Sequence, residues 1–123
     1  MQKVLVDSCG WVAIVDAGIH LDLELGDLVG NFELALLPKV ETELSHLEQK
    51  RSNTLLLDLL MQKSTIIPAP SEAGNHTDDQ LVALAVENSW PVITIDSRLK
   101  ARLMEAGCQV IEVAQKRRLK MIQ

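Results

Sequence analysis

The chain has 123 residues, of which 47% are hydrophobic, and a formal net charge of −5 at pH 7. This length and composition predict a single domain, residues 1–123, with one hydrophobic core. The negative charge argues against a protein that coats nucleic acid mainly by neutralising phosphates, but it allows an enzyme that contacts a few of them. The N-terminus lacks a signal-peptide pattern and no apolar stretch is long enough to cross a bilayer, so a cytoplasmic protein is expected.

Strands and helices are predicted to alternate from the first residues onward. An apolar, β-branched run predicts a strand buried on both faces, and the proline after the second strand is typical of a helix start. The predicted elements of the first half are a strand Lys3–Val6, helices from Ser8 to Gly18 and from Leu21 to Val29, a strand Glu33–Leu37, a helix from Pro38 with a break near Ser52 and Asn53, and a helix Leu55–Leu60.

The second half continues the alternation. Thr77 and Gln80 have the spacing of a capping box, which predicts a helix start after a loop rich in proline and glycine. The predicted elements are a strand Ser64–Ile67, a helix from Thr77 to about Asn88, a strand Pro91–Ile95, a helix Ser97–Ala106 and a last strand Gln109–Val113. Together they predict an α/β fold, a three-layer α/β/α sandwich with a mainly parallel central sheet.

Carboxylates follow or flank several of these strands on one side of the sheet. Asp7 and Asp96 each follow an apolar run, VLV and VITI, and therefore lie at carboxyl ends of strands, where binding groups gather in such sheets. Asp78 and Asp79 begin a helix after a strand-loop unit, and Glu43 lies past the first turn of a helix that leaves the same edge. All five are therefore expected near one edge of the sheet.

Each acid also has a purely structural explanation. Asp7 and Asp96 are able to cap helices, and Asp78 and Asp79 complement the positive end of a helix dipole. Neither explanation fits Glu43 well, although a solvated helix face does. Several carboxylates at one edge repel each other unless a cation neutralises them, so the joint pattern predicts a divalent metal.

The type of metal follows from the ligands. Carboxylates without a set of histidines or cysteines favour Mg²⁺ or Mn²⁺ over zinc. His76 is a lone histidine and is predicted to be an exposed loop residue and not a ligand. Cys9 and Cys108 are far apart and form no CxxC pair, so both are expected to be reduced thiols, Cys9 as a small buried residue and not a nucleophile.

These residues lie in segments that resemble the PIN-domain family, in particular its small archaeal members related to the ribosome-biogenesis branch and, more distantly, VapC-type toxins. VLVDSCGWVAIV resembles the opening motif of a hydrophobic strand, Asp, Thr or Ser, and Asn. LPKVETELSHL resembles the Val-x-x-Glu-Leu segment, HTDDQLVALA the Ala-Asp-Asp motif, and VITIDSRLKARL the Thr-Asn-Asp segment with its basic helix. The four motifs occur in the family's order and span nearly the whole chain.

The resemblance implies a ribonuclease that hydrolyses RNA phosphodiesters with Mg²⁺ or Mn²⁺. It places the catalytic and metal-binding roles on a set of acids, with one further acid as an auxiliary ligand and one hydroxyl near the metal. These residues are Asp7, Glu43, Asp79 and Asp96, then Asp78, then Ser8. Cys9 and Ile95 stand where the motifs have Asn, so polar contacts that orient ligands or water are expected to be missing and activity to be reduced.

Basic residues are candidates for contacting RNA. Arg98 and Arg102, one helical turn apart, are candidate phosphate ligands, with solvated helix charges as the alternative. The basic C-terminal segment 115–123, which contains Lys116, Arg117 and Arg118, is either a solvated tail or a phosphate-contacting arm.

The expected partners are single-stranded RNA or an rRNA precursor, with a second copy of the chain and an antitoxin or ribosome-assembly partner as family expectations; no membrane is expected. The main alternative function is a catalytically weakened RNA- or ribosome-binding module of the same fold, or a toxin–antitoxin-type component. Cys9 and Ile95 are the residues that favour it.

Overall fold

The structure, a computed structural model, describes residues 1–51, 56–115 and 117–122. The strands in these residues are β1 (Gln2–Val6), β2 (Phe32–Leu36), β3 (Ser64–Ile66), β4 (Val92–Ile93), β5 (Val110–Ala114) and β6 (Arg118–Ile122). The α-helices are α1 (Ser8–Ala17), α2 (Leu21–Val29), α3 (Pro38–Lys50), α4 (Leu57–Lys63), α5 (Thr77–Asn88) and α6 (Ser97–Glu105). A one-turn 3-10 helix, Ser71–Ala73, lies in the loop before α5.

The strands form one sheet in the order β3-β2-β1-β4-β5-β6. β1 is central and parallel to both of its neighbours, β2 and β4. The β5–β6 pair is antiparallel, whereas the other strand pairs of the described residues are parallel. The predicted α/β architecture with a mainly parallel sheet is confirmed. Because the parallel strands end on the same side, we call that side the carboxyl edge.

Apolar side chains from the strands and the inner helix faces form the hydrophobic core. Val4, Leu5 and Val6 are fully buried, as expected for a parallel strand covered on both faces. Trp11 of α1 is also fully buried, and its indole N–H donates to the carbonyl oxygen of Leu56 at 2.5 Å. This bond ties α1, and with it the residues at its N-terminus, to the start of α4.

α1 approaches β4 very closely at Gly10. A methyl group at this position would lie 2.6 Å from the carbonyl oxygen of Ile93 and 3.0 Å from the Cα atom of Thr94. Such distances are well inside van der Waals contact, so any larger residue would push the helix away from the strand. Glycine therefore sets how near the start of α1 lies to Thr94.

The C-terminal segment differs from the prediction. The sequence predicts Gln109–Val113 as the last strand, but β6 follows and pairs along the whole of β5. The expectation of a solvated tail is therefore wrong for residues 118–122, whereas contact of this segment with phosphates stays a prediction. The strand is difficult to recognise in the sequence because its charged residues resemble those of a tail. Arg118 and Lys120 are exposed, whereas Leu119 between them is buried. An edge strand with charged, outward-facing residues also avoids unwanted pairing.

Other boundaries shift by a few residues. β4 ends at Ile93 instead of Ile95, so Thr94 lies past the strand. The predicted helix break at Ser52 and Asn53, and the helix start at Leu55, lie outside the described residues. None of the helices in the described part of the chain is both long and apolar enough to span a membrane.

The predicted capping box of α5 is not formed. His76 is the N-cap and makes no side-chain capping bond, and Thr77 is the first helical residue. The Gln80 side chain donates to the carbonyl oxygen of Gly74 at 2.9 Å. The Thr77 hydroxyl donates to a carboxylate of another helix, because a charged acceptor forms a stronger hydrogen bond than a neutral one.

Candidate functional site

Asp7 is the first residue after β1 and the N-cap of α1. It is 7% exposed, and both of its carboxylate oxygens accept hydrogen bonds. Oδ1 accepts from the backbone N–H of Ser8 at 2.8 Å, and Oδ2 accepts from Thr94 Oγ1 at 2.9 Å and from Cys9 Sγ at 3.0 Å. A buried anion requires such donors, and these fix the carboxylate in one orientation at the carboxyl edge.

Thr94 joins the ends of the two central strands, and the sequence reasoning did not identify it. Its side chain is fully buried; Oγ1 donates to Asp7 and accepts from the backbone N–H of Asp96 at 3.1 Å. Val6 and Ile93 are register partners, so the next residues, Asp7 and Thr94, lie side by side. The available indication was a lone hydroxyl in the otherwise apolar run VITI.

Asp96 lies two residues beyond Thr94 and is exposed. Its Oδ1 accepts from the backbone N–H groups of Arg98 at 2.8 Å and Leu99 at 3.1 Å, so it caps α6. The capping explanation is thus confirmed for Asp7 and Asp96. Capping uses only one carboxylate oxygen of Asp96. The other, Oδ2, has no hydrogen-bond donor among the described residues and is available to a ligand.

Glu43 reaches the carboxyl edge from α3. Its Oε1 accepts from Ser8 Oγ and its Oε2 from Thr77 Oγ1, each at 2.8 Å. The carboxylate therefore connects the first residue of α1 to the first residue of α5. The alternative of a solvated helix face is wrong, since Glu43 is partly buried and hydrogen-bonded on both oxygens.

Asp78, the second residue of α5, lies in the electrostatic field of the other acids. Burial, and then the negative charges of Asp7 and Asp96, raise the pKa of its carboxyl group; Glu43 adds to this and Arg102 lowers it. Asp78 also lines the same open depression as Glu43.

Asp79 turns toward the rim of that region. Its Oδ1 accepts from the Arg102 guanidinium at 2.8 Å, and the two side chains are about half exposed, 41% and 46%. The resemblance gives Asp79 a central role and Asp78 an auxiliary one. In the structure, Asp78 is the acid of α5 whose pKa is raised by the acids of the other elements, whereas Asp79 forms an ion pair.

An open depression of about 390 Å³ lies beside these acids. It is lined by Glu43, His76, Thr77, Asp78, Asp79 and Arg102. His76 is exposed at its rim, as predicted. No three His, Cys, Asp or Glu side chains of the described residues come together as a metal-binding group. Glu43, Asp78 and Asp79 line the depression, whereas Asp7 and Asp96 do not. Carboxylates spread in this way fit Mg²⁺, which binds through one or two carboxylates and retains several waters.

The family model of the PIN-like domain matches residues 4–116. The chain belongs to this family. Ribonuclease VapC4 of Methanocaldococcus jannaschii is 26% identical over 123 residues, which cover 95% of this chain and 94% of the relative. The solved structure of the PIN domain endonuclease Utp24 has a TM-score of 0.77 at 20% identity, covering 97% of this chain and 90% of that one. At this identity the likeness to Utp24 supports the fold alone.

Two residues depart from the PIN motifs, with different outcomes. The contact expected to be missing at Cys9 is present, because its thiol donates to Asp7 Oδ2. Burial and this hydrogen bond raise the pKa of the Cys9 thiol, which keeps it protonated as a donor near neutral pH. Ile95 is 45% exposed and places an apolar side chain next to Asp96.

The basic residues of this PIN domain lie on different elements, and not all of them are near the acids. Arg98 is exposed on α6, one turn before Arg102. The Arg117 guanidinium lies near Gly18 at the end of α1, and Arg118 Nε is 3.4 Å from Glu24 Oε1 of α2. Arg117 and Arg118 do not line the depression that is formed by Glu43, Asp78 and Asp79. Lys116 lies outside the described residues.

Proposed function

We propose that this PIN-family protein is a metal-dependent ribonuclease that hydrolyses phosphodiester bonds of single-stranded RNA at the carboxyl edge. The observation that carries the proposal is the set of contacts that gathers the acids at the carboxyl edge. The Thr94 hydroxyl bonds the Asp7 carboxylate and the backbone of Asp96, and Glu43 bonds Thr77, the residue before Asp78. Four carboxylates in one region are unfavourable unless a cation neutralises them. The relative from M. jannaschii, named a ribonuclease, supports RNA as the substrate.

We assign the cation to Asp7 and Asp96, with Glu43, Asp78 and Asp79 completing its surroundings directly or through water. Oxygen ligands of this kind select Mg²⁺ or Mn²⁺. When bound, such an ion lowers the pKa of a coordinated water and stabilises the charge that develops on the phosphate.

The remaining side chains have separate tasks. We assign to Glu43, which is held by Ser8 and Thr77, the task of accepting a hydrogen bond from the attacking water and so orienting it. We assign to Arg102, at the rim, the contact with a phosphate next to the scissile one. A phosphate bound to Arg102 would compete with Asp79 for the same guanidinium, and the Asp79 carboxylate would then be available to help hold the cation.

The first test compares RNA cleavage by the pure protein and its Asp7→Asn variant. We expect Mn²⁺-dependent cleavage of single-stranded RNA by the wild type. The variant keeps the shape of the side chain but loses its charge, so cleavage should fall by more than about 100-fold, the upper range for residues that only support metal ligands. Asp58→Asn, on the exposed face of α4, is the control and should cleave normally. Equal cleavage by Asp7→Asn and the wild type contradicts the assignment.

A catalytically weakened RNA-binding module is the second candidate, and Ile95 favours it. A polar side chain at this position would help to orient the Asp96 carboxylate or a water next to it, and the isoleucine side chain does not. Binding of RNA without any binding of Mn²⁺ in calorimetry would support this function. Mn²⁺-dependent cleavage that is lost in Asp7→Asn would exclude it.

A further inference from the structure

The hydrogen bonds of Glu43 bring three helices together at one carboxylate. Ser8 and Thr77 are the first residues of α1 and α5, and their hydroxyls donate to different oxygens of this α3 side chain, each at 2.8 Å. One donor leaves a carboxylate free to rotate about that contact. Two donors on two oxygens fix its position and the orientation of its plane.

Ser8 is part of the family's opening motif, but Thr77 is not part of the next one. In HTDDQLVALA, Thr77 stands where the Ala-Asp-Asp motif has alanine, which has no hydroxyl to donate. The motif itself therefore supplies no hydroxyl for the contact to Glu43 Oε2. Thr77 also lines the depression together with Glu43 and Asp78.

The same bond anchors the start of α5. This helix begins without a side-chain capping bond. Its first turn is instead held by the contact from Thr77 to α3 and by the ion pair between Asp79 and Arg102. Asp78 is the next residue and lines the depression together with Glu43 of α3. A shift of the first turn of α5 would move Asp78 relative to Glu43.

We propose that Thr77 is a positioning residue that, with Ser8, holds the Glu43 carboxylate and the start of α5 in the arrangement needed at the carboxyl edge. This inference rests on the proposed function. Hydroxyl–carboxylate bonds are charge-assisted, and residues that orient metal-site carboxylates typically change metal affinity or activity by about 10–100-fold.

The test uses Thr77→Val, which keeps the branched shape and removes the hydroxyl, and Thr77→Ser, which restores the hydroxyl. Calorimetry measures the Mn²⁺ dissociation constant of the full chain. We expect Thr77→Val to weaken Mn²⁺ binding by about tenfold or more and Thr77→Ser to stay within about threefold of the wild type. Thr42→Val is the matched control: its exposed hydroxyl donates to Pro38 within α3, so Mn²⁺ affinity should not change.

A double-mutant cycle with Glu43→Gln tests whether Thr77 acts through Glu43. In the Glu43→Gln background, Thr77→Val should add less than about twofold, because residues that share one interaction are not additive. Full additivity, wild-type affinity of Thr77→Val, or a Thr77→Ser variant as weak as Thr77→Val would overturn the proposal.

Crystal structures of the metal-free wild type and Thr77→Val separate this inference from the proposed function. If the wild type neither binds Mn²⁺ nor cleaves RNA, the proposed function fails. The positioning role is then decided by geometry alone: a displaced or rotated Glu43 carboxylate in Thr77→Val supports it, and an unchanged one overturns it.

Discussion

The two halves of the acidic site are built differently. In the half formed by α1 and α3, Asp7 and Glu43 each accept hydrogen bonds on both carboxylate oxygens. In the half formed by α5 and α6, Asp79 is engaged in an ion pair, Asp96 leaves Oδ2 free, and Asp78 has no hydrogen-bond donor among the described residues. The first half is fixed before any ligand binds, whereas the second keeps charge that is not balanced.

This difference separates two requirements of a metal-dependent site. Fixed carboxylates place a ligand without reorganisation, which favours both affinity and rate. Unpaired carboxylates supply the attraction for a cation, because neutralising them removes their mutual repulsion. Under the proposed function the two requirements fall on different helices, so they can be altered separately.

The largest effect is expected from Gly10→Ala, which acts on the fixed half. The added methyl group would lie 2.6 Å from the Ile93 carbonyl oxygen and would push α1 away from β4. We expect the free energy of unfolding to fall by about 1–3 kcal/mol, as for other overpacked sites, and Mn²⁺ affinity to fall with it, since the Thr94–Asp7 bond spans the same contact. Urea denaturation and calorimetry measure the two effects.

Gly26→Ala is the matched control for this variant. Gly26 lies within α2, and an added methyl group there meets no atom within 4 Å. It should raise the free energy of unfolding by about 0.5–1 kcal/mol, because alanine is the better helix former. If Gly10→Ala behaved like Gly26→Ala, the close approach of α1 to β4 would not be what fixes Asp7.

A smaller effect of opposite sign is expected from Asp78→Asn, which acts on the unbalanced half. Because the pKa of Asp78 is raised in the folded protein, its ionisation costs stability as the pH rises from the unfolded value, about 3.9, through the folded value. Asp78→Asn should therefore make the metal-free protein more stable than the wild type at pH 7, by less than about 1 kcal/mol given solvent screening. The difference should vanish once the pH falls below the unfolded value.

Thermal unfolding in the presence of a chelator, and then of Mn²⁺, tests this expectation. Mn²⁺ should stabilise the wild type more than Asp78→Asn, because the wild type has the stronger binding site. Asp58→Asn serves as the control: Asp58 complements the helix dipole in the first turn of α4, so its loss should not stabilise the protein. A metal-free Asp78→Asn variant less stable than the wild type at pH 7 would contradict the described electrostatics.

The smallest effect is expected from Arg118→Gln, compared with Arg102→Gln. Arg102 lines the depression, whereas Arg118 lies beside Glu24 on α2. Loss of one phosphate contact lowers the salt dependence of RNA binding by about one unit of slope, so we expect this change for Arg102→Gln and none for Arg118→Gln. Binding of a short RNA measured over a range of salt concentrations checks it. Equal slopes for the two variants would indicate that the basic C-terminal strand also contacts RNA.

The sequence predicted the acids at strand ends but not the hydroxyls that hold them. Asp7 and Asp96 were identifiable because a carboxylate that directly follows an apolar run lies at the carboxyl end of a strand in a parallel sheet. Thr94 and Thr77 were not, since their partners, Asp7 and Glu43, depend on strand register and on the distance between helices. Those quantities are set by packing, including the contact at Gly10, and not by local pattern.

The sequence also predicted the strand–helix alternation, but not the last strand. β6 pairs with β5 through backbone hydrogen bonds, to which the charges of Arg118 and Lys120 are irrelevant. The capping box at Thr77 and Gln80 failed for a related reason. A local motif predicts a local bond, and both side chains found other partners in the folded protein.

The bond from Thr94 to Asp7 joins residues 87 positions apart, and the bond from Ser8 to Glu43 joins residues 35 apart. β1 is made first but lies in the middle of the sheet, so its carboxyl end is completed only when β4 docks beside it. Contacts of such large sequence separation form late in folding. During synthesis on a ribosome, a chain that has not yet emerged as far as Asp96 lacks that acid, and before Thr94 emerges it also lacks the hydroxyl that bonds Asp7. The order of the strands thus delays completion of the acidic site until most of the domain has been made.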